Sequence, residues 1–146
     1  GLVNFRREVS ILERLYAQPL EARDIGSAQR AFDDFALLLR TFPESSYAPD
    51  ARQRMVFLRN QLADHEILVA RHYMERGAYL AVISRARFVI EQYPHTPATP
   101  QALEYLVRAY RVTGMQDLAD DSMRVLALNF PDDPATQRAR KFQLRD

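Results

Sequence analysis

The stretch Gly77-Ala-Tyr-Leu-Ala-Val-Ile-Ser-Arg-Ala-Arg-Phe-Val-Ile-Glu-Gln-Tyr-Pro94 decides the fold, because its punctuation recurs on either side of it. Gly26, Gly77 and Gly114 are each followed seventeen residues later by a proline: Pro43, Pro94 and Pro131. An aromatic residue precedes each proline: Phe42, Tyr93 and Phe130. Apart from Gly1 the chain has no other glycine, so every internal glycine falls on one template. Between the two marks the fifth position holds Ala31, Val82 and Ala119, and the ninth Phe35, Ala86 and Met123. The twelfth holds Leu38, Val89 and Leu126, and the thirteenth Leu39, Ile90 and Ala127. Spacings of four, three and one lay an apolar stripe along one face of a 3.6-residue helix. The seventh and eighth positions are polar each time: Asp33 and Asp34, Ser84 and Arg85, Asp121 and Ser122. That face is expected to meet water or a partner.

The segments outside the template supply its partner helices. Gln101 to Thr113 reads as a helix with Leu103, Leu106, Val107 and Tyr110 inward. Asp50 to Arg76 reads as a helix about twice as long, with Met55, Leu58, Leu62, Val69 and Tyr73 along one side. Its free end is expected to rest on the preceding pair. Two residues after each proline stand Ser45, Thr96 and Asp133, all good N-cap types. Ser46, Pro97 and Pro134 follow, and proline suits a first helical position. Pro49 and Pro100 match as well, so the first two starts are equally compatible with a point one turn later. Residues 1–18 offer a short amphipathic piece (Val9, Leu12, Leu15, Tyr16), followed by a loop over 19–25. Pro134 to Arg145 begins a further first helix without a second, expected as a cap or a frayed tail.

The expected fold is therefore all-α, an antiparallel helix-pair solenoid in one domain over residues 1–146. Its parts are a partial repeat over 1–43, a repeat with an extended first helix over 50–94, a repeat over 100–131, and a terminal helix or tail over 134–146.

Composition narrows the function classes. A chain of 146 residues suits one compact domain that buries roughly 70% of its unfolded surface. With no cysteine there is no disulfide scaffold, thiol nucleophile or thiolate metal site. Twenty basic residues against nineteen acidic leave a charge of +1, no electrostatic footprint for nucleic acid. No apolar run approaches the ~20 residues of a membrane-spanning helix. All basic residues but Lys141 are arginine, which reads first as genome bias and second as a surface for planar, bidentate pairing. The chain opens at Gly1 with no methionine or signal peptide, and reads as a part of something longer.

Helix pairs with small and aromatic residues at these offsets, closed by proline, resemble tetratricopeptide repeats. Residues 63–96 and 100–133 each fit one unit, and 26–43 the second helix of an earlier one. The first-helix tryptophan position of that family holds Glu66 and Leu103, and its alanine before the closing proline is Val89 and Leu126. The repeat assignment thus rests on spacing more than on signature identity. A more specific likeness lies in Ala51-Arg-Gln-Arg-Met-Val-Phe-Leu-Arg-Asn-Gln-Leu-Ala63 and Val69-Ala-Arg-His-Tyr-Met-Glu-Arg-Gly-Ala-Tyr-Leu-Ala-Val82. Together with Gly1-Leu-Val-Asn4, Ala31-Phe-Asp-Asp-Phe35 and the run from Tyr93 to Leu103, these resemble the BamD family, lipoproteins of the bacterial outer-membrane β-barrel assembly machinery.

That resemblance implies the C-terminal half of a scaffold on the periplasmic face of the outer membrane. The lipid-bearing cysteine and first repeats would be absent from it. It implies docking to a POTRA domain of BamA, with other assembly lipoproteins and unfolded outer-membrane proteins as further partners, and neither cofactor nor nucleic acid. In the family a basic residue of the penultimate repeat's second helix pairs with a POTRA carboxylate; the matching residue here is Arg85. Arg76 and Arg87 beside it, and Tyr105 as an exposed aromatic anchor, complete the candidate partner-binding set. An alternative from another class is recognition of unfolded barrel segments in the concave groove, lined by Tyr73, Tyr79, Tyr93, Tyr105 and Tyr110. Packing within the repeats is the stronger reading for those tyrosines.

Other constellations point away from chemistry. His65 and His72 lie two helical turns apart, ~10.5 Å along the axis, too far for one ion to bridge. His95 falls in an inter-repeat turn as an exposed polar residue. Asp33-Asp34, Asp120-Asp121 and Asp132-Asp133 are adjacent residues, which diverge by ~100° on a helix instead of facing one cleft. The last of these pairs suits capping. Arg52, Arg54, Arg59, Arg71 and Arg76 give the long helix a basic edge, but Asp50, Asp64, Glu66 and Glu75 are interspersed and favour a solvated face. No nucleophile elbow, zinc-protease or phosphate-loop pattern occurs, and no enzymatic activity is expected.

Overall fold

The computed structural model describes residues 22–142, all of them helix or short turn, with no strand. The chain divides into two compact units, residues 1–62 and 63–146.

In the first unit α1 runs Ala22–Thr41, and α2, Ala48–Glu75, begins. Buried on them are Ala28, Phe35, Ala48, Ala51, Leu58 and Leu62. Residues 22–25, expected in a loop, are helical, and Gly26 lies inside α1 instead of at a bend. Glycine is tolerated in a helix at a cost of about 1 kcal/mol, so its place on the template did not oblige a turn. The amphipathic piece expected over 1–18 lies outside the described residues, as do residues 19–21 and 143–146.

The second unit holds the rest of α2, then α3 (Tyr79–Gln92), α4 (Thr99–Val112), α5 (Gln116–Asn129) and α6 (Pro134–Lys141). Both hairpin bends here are made by glycine: Gly77 at φ 72° and Gly114 at φ 77°. At each bend the next residue's amide reaches back five positions, Ala78 N to Tyr73 O at 2.9 Å and Met115 N to Tyr110 O at 2.8 Å. This is the left-handed helix stop that satisfies the orphan carbonyls of the last turn. Thr96 and Ser45 bond locally within their turns, Thr96 Oγ1 donating to Tyr93 O and Ser45 Oγ accepting from Tyr47 N. The helices after them start later, at Ala48 and Thr99. Asp133 alone caps at the earlier point, its carboxylate accepting from Ala135 N at 2.9 Å with Pro134 in the first turn.

The apolar stripes meet as the spacing predicts. Val82, Ala86 and Val89 of α3, Leu103, Leu106, Val107 and Tyr110 of α4, and Ala119 and Leu126 of α5 are buried. Leu103, Val107, Leu126 and Ala139 form one cluster, with Ile90, Met123 and Phe130 against it. Helix α4 packs against α3, α5 and α6 at once. For this reason nearly every residue from Ala102 to Tyr110 is buried, not a single stripe. Ser122, expected on a water-facing side, is buried as well, whereas Asp33, Asp34, Ser84, Arg85 and Asp121 are exposed. Helix α6 is not left without support, since it packs on α4 and α5.

Candidate partner-docking site

Arg85 projects from α3 one turn beyond Val82 on the exposed side of the helix. Its Nη1 donates to Glu66 Oε2 on α2 at 3.2 Å. The arginine side chain is 45% exposed and the glutamate 14%, so the carboxylate sits low between the helices and the guanidinium stands above it. One contact engages one nitrogen of the fork and leaves further donors for a partner carboxylate. Arg87, two residues on, pairs along its own helix with Glu91 at 3.1 Å, both ends well exposed. An exposed pair of this kind contributes only ~0.3–0.5 kcal/mol.

Arg76 follows the last residue of α2 and is exposed. With Leu68, Val69, Arg71, His72, Tyr73 and Glu75 it borders a shallow cleft of about 530 Å³. Leu68 is a large apolar side chain left more than half exposed there.

Tyr105 is not an exposed anchor. It is 5% exposed, because α4 is covered on several sides and a position off the main stripe is covered too. Its hydroxyl accepts from Arg71 Nε at 3.3 Å and from Gln101 Nε2 at 3.2 Å. The bond to the phenol holds the Arg71 guanidinium still higher than its ordinary range. Tyr93 and Tyr110 are buried, and Tyr73 and Tyr79 half-buried. Of the five tyrosines expected to line a groove, only Tyr73 and Tyr79 are therefore partly open.

The most conspicuous polar group escaped sequence reasoning. Glu104, 1% exposed, binds Arg138 of α6 through two parallel bonds, Nε to Oε1 at 2.9 Å and Nη2 to Oε2 at 3.2 Å. Arg108 approaches the same carboxylate at 3.8 Å. The Glu104 bond raises the Arg138 pKa above its ordinary value. Spacing could have suggested Glu104 with Arg108, four residues apart, but nothing local announces Arg138.

The carboxylates considered for chemistry have local tasks. Asp121 pairs with Arg124, Asp120 accepts from Gln116, Asp33 accepts from Gln29, and Asp133 caps α6. His65 and His72 take part in no group of three or more metal-ligating side chains among the described residues. No described helix is long and apolar enough to cross a membrane.

Stacked antiparallel helix pairs, turned by left-handed glycines and closed by prolines, define an all-α repeat protein of the tetratricopeptide-like class. Within that class the chain belongs to the YfiO family of outer membrane lipoproteins, whose family model matches residues 1–126. It is 42% identical over 134 residues to the outer membrane protein assembly factor BamD of Neisseria meningitidis serogroup A, covering 92% of this chain and 50% of that protein. The BamD of Xylella fastidiosa strain Temecula1 is 38% identical over 134 residues, covering 92% and 46%. That of Vibrio cholerae is 33% identical over 129 residues, covering 88% and 54%. The chain thus spans about half the length of the curated relatives it matches.

Proposed function

We propose that this chain is a non-catalytic scaffold in the assembly and insertion of β-barrel proteins at the bacterial outer membrane. It acts at the periplasmic face by docking a POTRA domain of BamA through Arg85. The observation that carries this reading is the Glu66–Arg85 pair. An arginine with one terminal nitrogen on a recessed carboxylate is given a preferred direction, while the rest of its half-exposed fork can still donate. Such a group suits a bidentate, charge-assisted contact that fixes docking register. Arg76 and Arg87, exposed on either side of it in the sequence, are the further candidates for contact, Arg87 sharing its charge with Glu91. The names of the relatives, all assembly factors, support the process but not the residue.

Recognition of unfolded barrel segments in a tyrosine-lined groove has less support, since Tyr93, Tyr105 and Tyr110 are turned into the packing and only Tyr73 and Tyr79 are partly open. The experiment for the docking reading is charge reversal. Arg85→Glu should lower affinity for purified BamA POTRA domains by at least about tenfold, with some loss of thermal stability, since it sets a second carboxylate against Glu66. Arg85→Gln, which keeps a donor for Glu66, should melt within a degree or so of the parent and still bind less tightly. Unchanged affinity would remove Arg85 from the interface.

A further inference from the structure

Helix α6 is held in an unusual way. It is eight residues long, shorter than the ~12–15 at which an isolated helix becomes even marginal in water. The side chains it buries are small: Ala135, Thr136 and Ala139. Its attachment is otherwise polar. Arg138 closes on Glu104 with two bonds, and Arg111 Nη1 donates to the carbonyls of Ala139 at 2.8 Å and Phe142 at 2.9 Å. The Arg108 guanidinium lies over the Phe142 ring at 5.0 Å, and Thr136 Oγ1 donates to Phe130 O at 2.6 Å. Beneath α6 lie Leu103 and Val107 of α4 and Leu126 of α5.

To form the pair Glu104 gives up its hydration and Arg138, still half-exposed, only part of its own, so the cost of desolvating the carboxylate offsets much of what the pair gains. Departure of α6 does not strand Glu104 in apolar surroundings, because it opens the carboxylate to water along with the groove. A helix this short also loses its structure when it undocks, so release and unfolding are one step. The tenant is imperfect as well: Arg108 Nε is buried with no acceptor. Buried donors are satisfied in the great majority of cases, and an orphan marks a place where a different occupant could gain.

We propose that α6 is a releasable cap on a helix-docking groove formed by α4 and α5. The partner this groove fits is a short helix built like α6, with small residues at the positions of Ala135 and Ala139, an arginine at that of Arg138 to take Glu104, and a carboxylate within reach of Arg108. Glu104 at the groove wall supplies the charge complementarity, and the Leu103–Val107–Leu126 floor supplies the apolar contact.

Hydrogen exchange on the whole chain tests the first half. Amides of residues 135–141 should exchange at least about tenfold faster than those of α4 and α5 under native conditions, and faster still in Arg138→Gln, with Arg140→Gln as an unchanged control. A labelled peptide of residues 132–142 tests the second half by fluorescence anisotropy. It should bind the Arg138→Gln chain at least about tenfold more tightly than the parent, and the same peptide carrying Arg138→Gln should not bind. Exchange of α6 in step with α4 and α5 in the parent chain would overturn the proposal, whether or not the variant folds. Equal affinity of the peptide for both chains would overturn it too.

Discussion

Arg138 grips the buried carboxylate of Glu104 from thirty-four residues away, and Arg71 reaches Tyr105 across the same separation. Both contacts join the first helix of one repeat to the next first helix, at adjacent positions of α4. The glycine bends recur at a spacing of thirty-seven residues, from Gly77 to Gly114, so each contact falls three residues short of the sequence-equivalent position. Three residues are nearly one turn. Neighbouring first helices therefore touch with a constant offset of about a turn, and an arginine marks each of the two joints.

The phenol of Tyr105 is an acceptor inside this stack. Tyr105→Phe removes that acceptor and keeps the ring, so it should cost roughly 0.5–1.5 kcal/mol in urea unfolding. Tyr105→Ala should cost about 3–5 kcal/mol by leaving a cavity. Binding of a POTRA partner should be unaffected by Tyr105→Phe, which titration calorimetry can check.

Gly77 and Gly114 hold positive φ, whereas Gly26 is helical and the nearest atom to a Cβ there, Arg30 Nη1, is 3.9 Å away. Opposite signs are expected on substitution. Gly77→Ala and Gly114→Ala should each destabilise by roughly 1–2 kcal/mol, and Gly26→Ala should stabilise by up to about 1 kcal/mol. Paired thermal or denaturant melts of the three variants decide it.

Leu126 is fully buried where α4, α5 and α6 meet. Leu126→Ala should destabilise by about 2–5 kcal/mol. Leu128, the most exposed large apolar side chain on the same helix, should tolerate alanine within about 0.5 kcal/mol. Equal losses at the two positions would contradict the packing described above.

Asp64 on α2 is exposed as a residue, yet partial desolvation raises its carboxyl pKa above the ordinary 3.8. The folded chain therefore holds that proton more tightly than the unfolded chain does, and ionisation favours unfolding. The penalty is fully present above the folded value, shrinks as pH falls through it, and is gone below 3.8. Asp64→Asn should accordingly raise the melting temperature at pH 7 by a small increment that vanishes at pH 3.

The helices were legible because each presents its apolar residues at one period. Gln101 to Thr113 was expected and Thr99–Val112 is found; Asp50 to Arg76 was expected and Ala48–Glu75 is found. Gly26 misled because a glycine in a helix and a glycine at a bend look alike in sequence, and only φ separates them. Tyr105 misled for another reason. A stripe argument assumes one buried face, whereas α4 is enclosed by three helices, so residues off the stripe are buried too. Glu104 was invisible on the same ground, and its partner Arg138 lies a whole repeat away. The exposed position of Arg85 was readable from the polar seventh and eighth sites, but its carboxylate Glu66 depends on how α2 crosses α3.

The docking claim is tested most directly by cross-linking in cells. Phe88 is exposed one turn from Arg85 on α3, so p-benzoylphenylalanine placed there in the full-length protein reports what covers this face. Irradiation should yield one major adduct, to BamA through a POTRA domain, and Arg85→Glu in the same chain should abolish it. A protein that assembles normally yet gives no BamA adduct from position 88, or gives one that survives Arg85→Glu, would contradict the assignment.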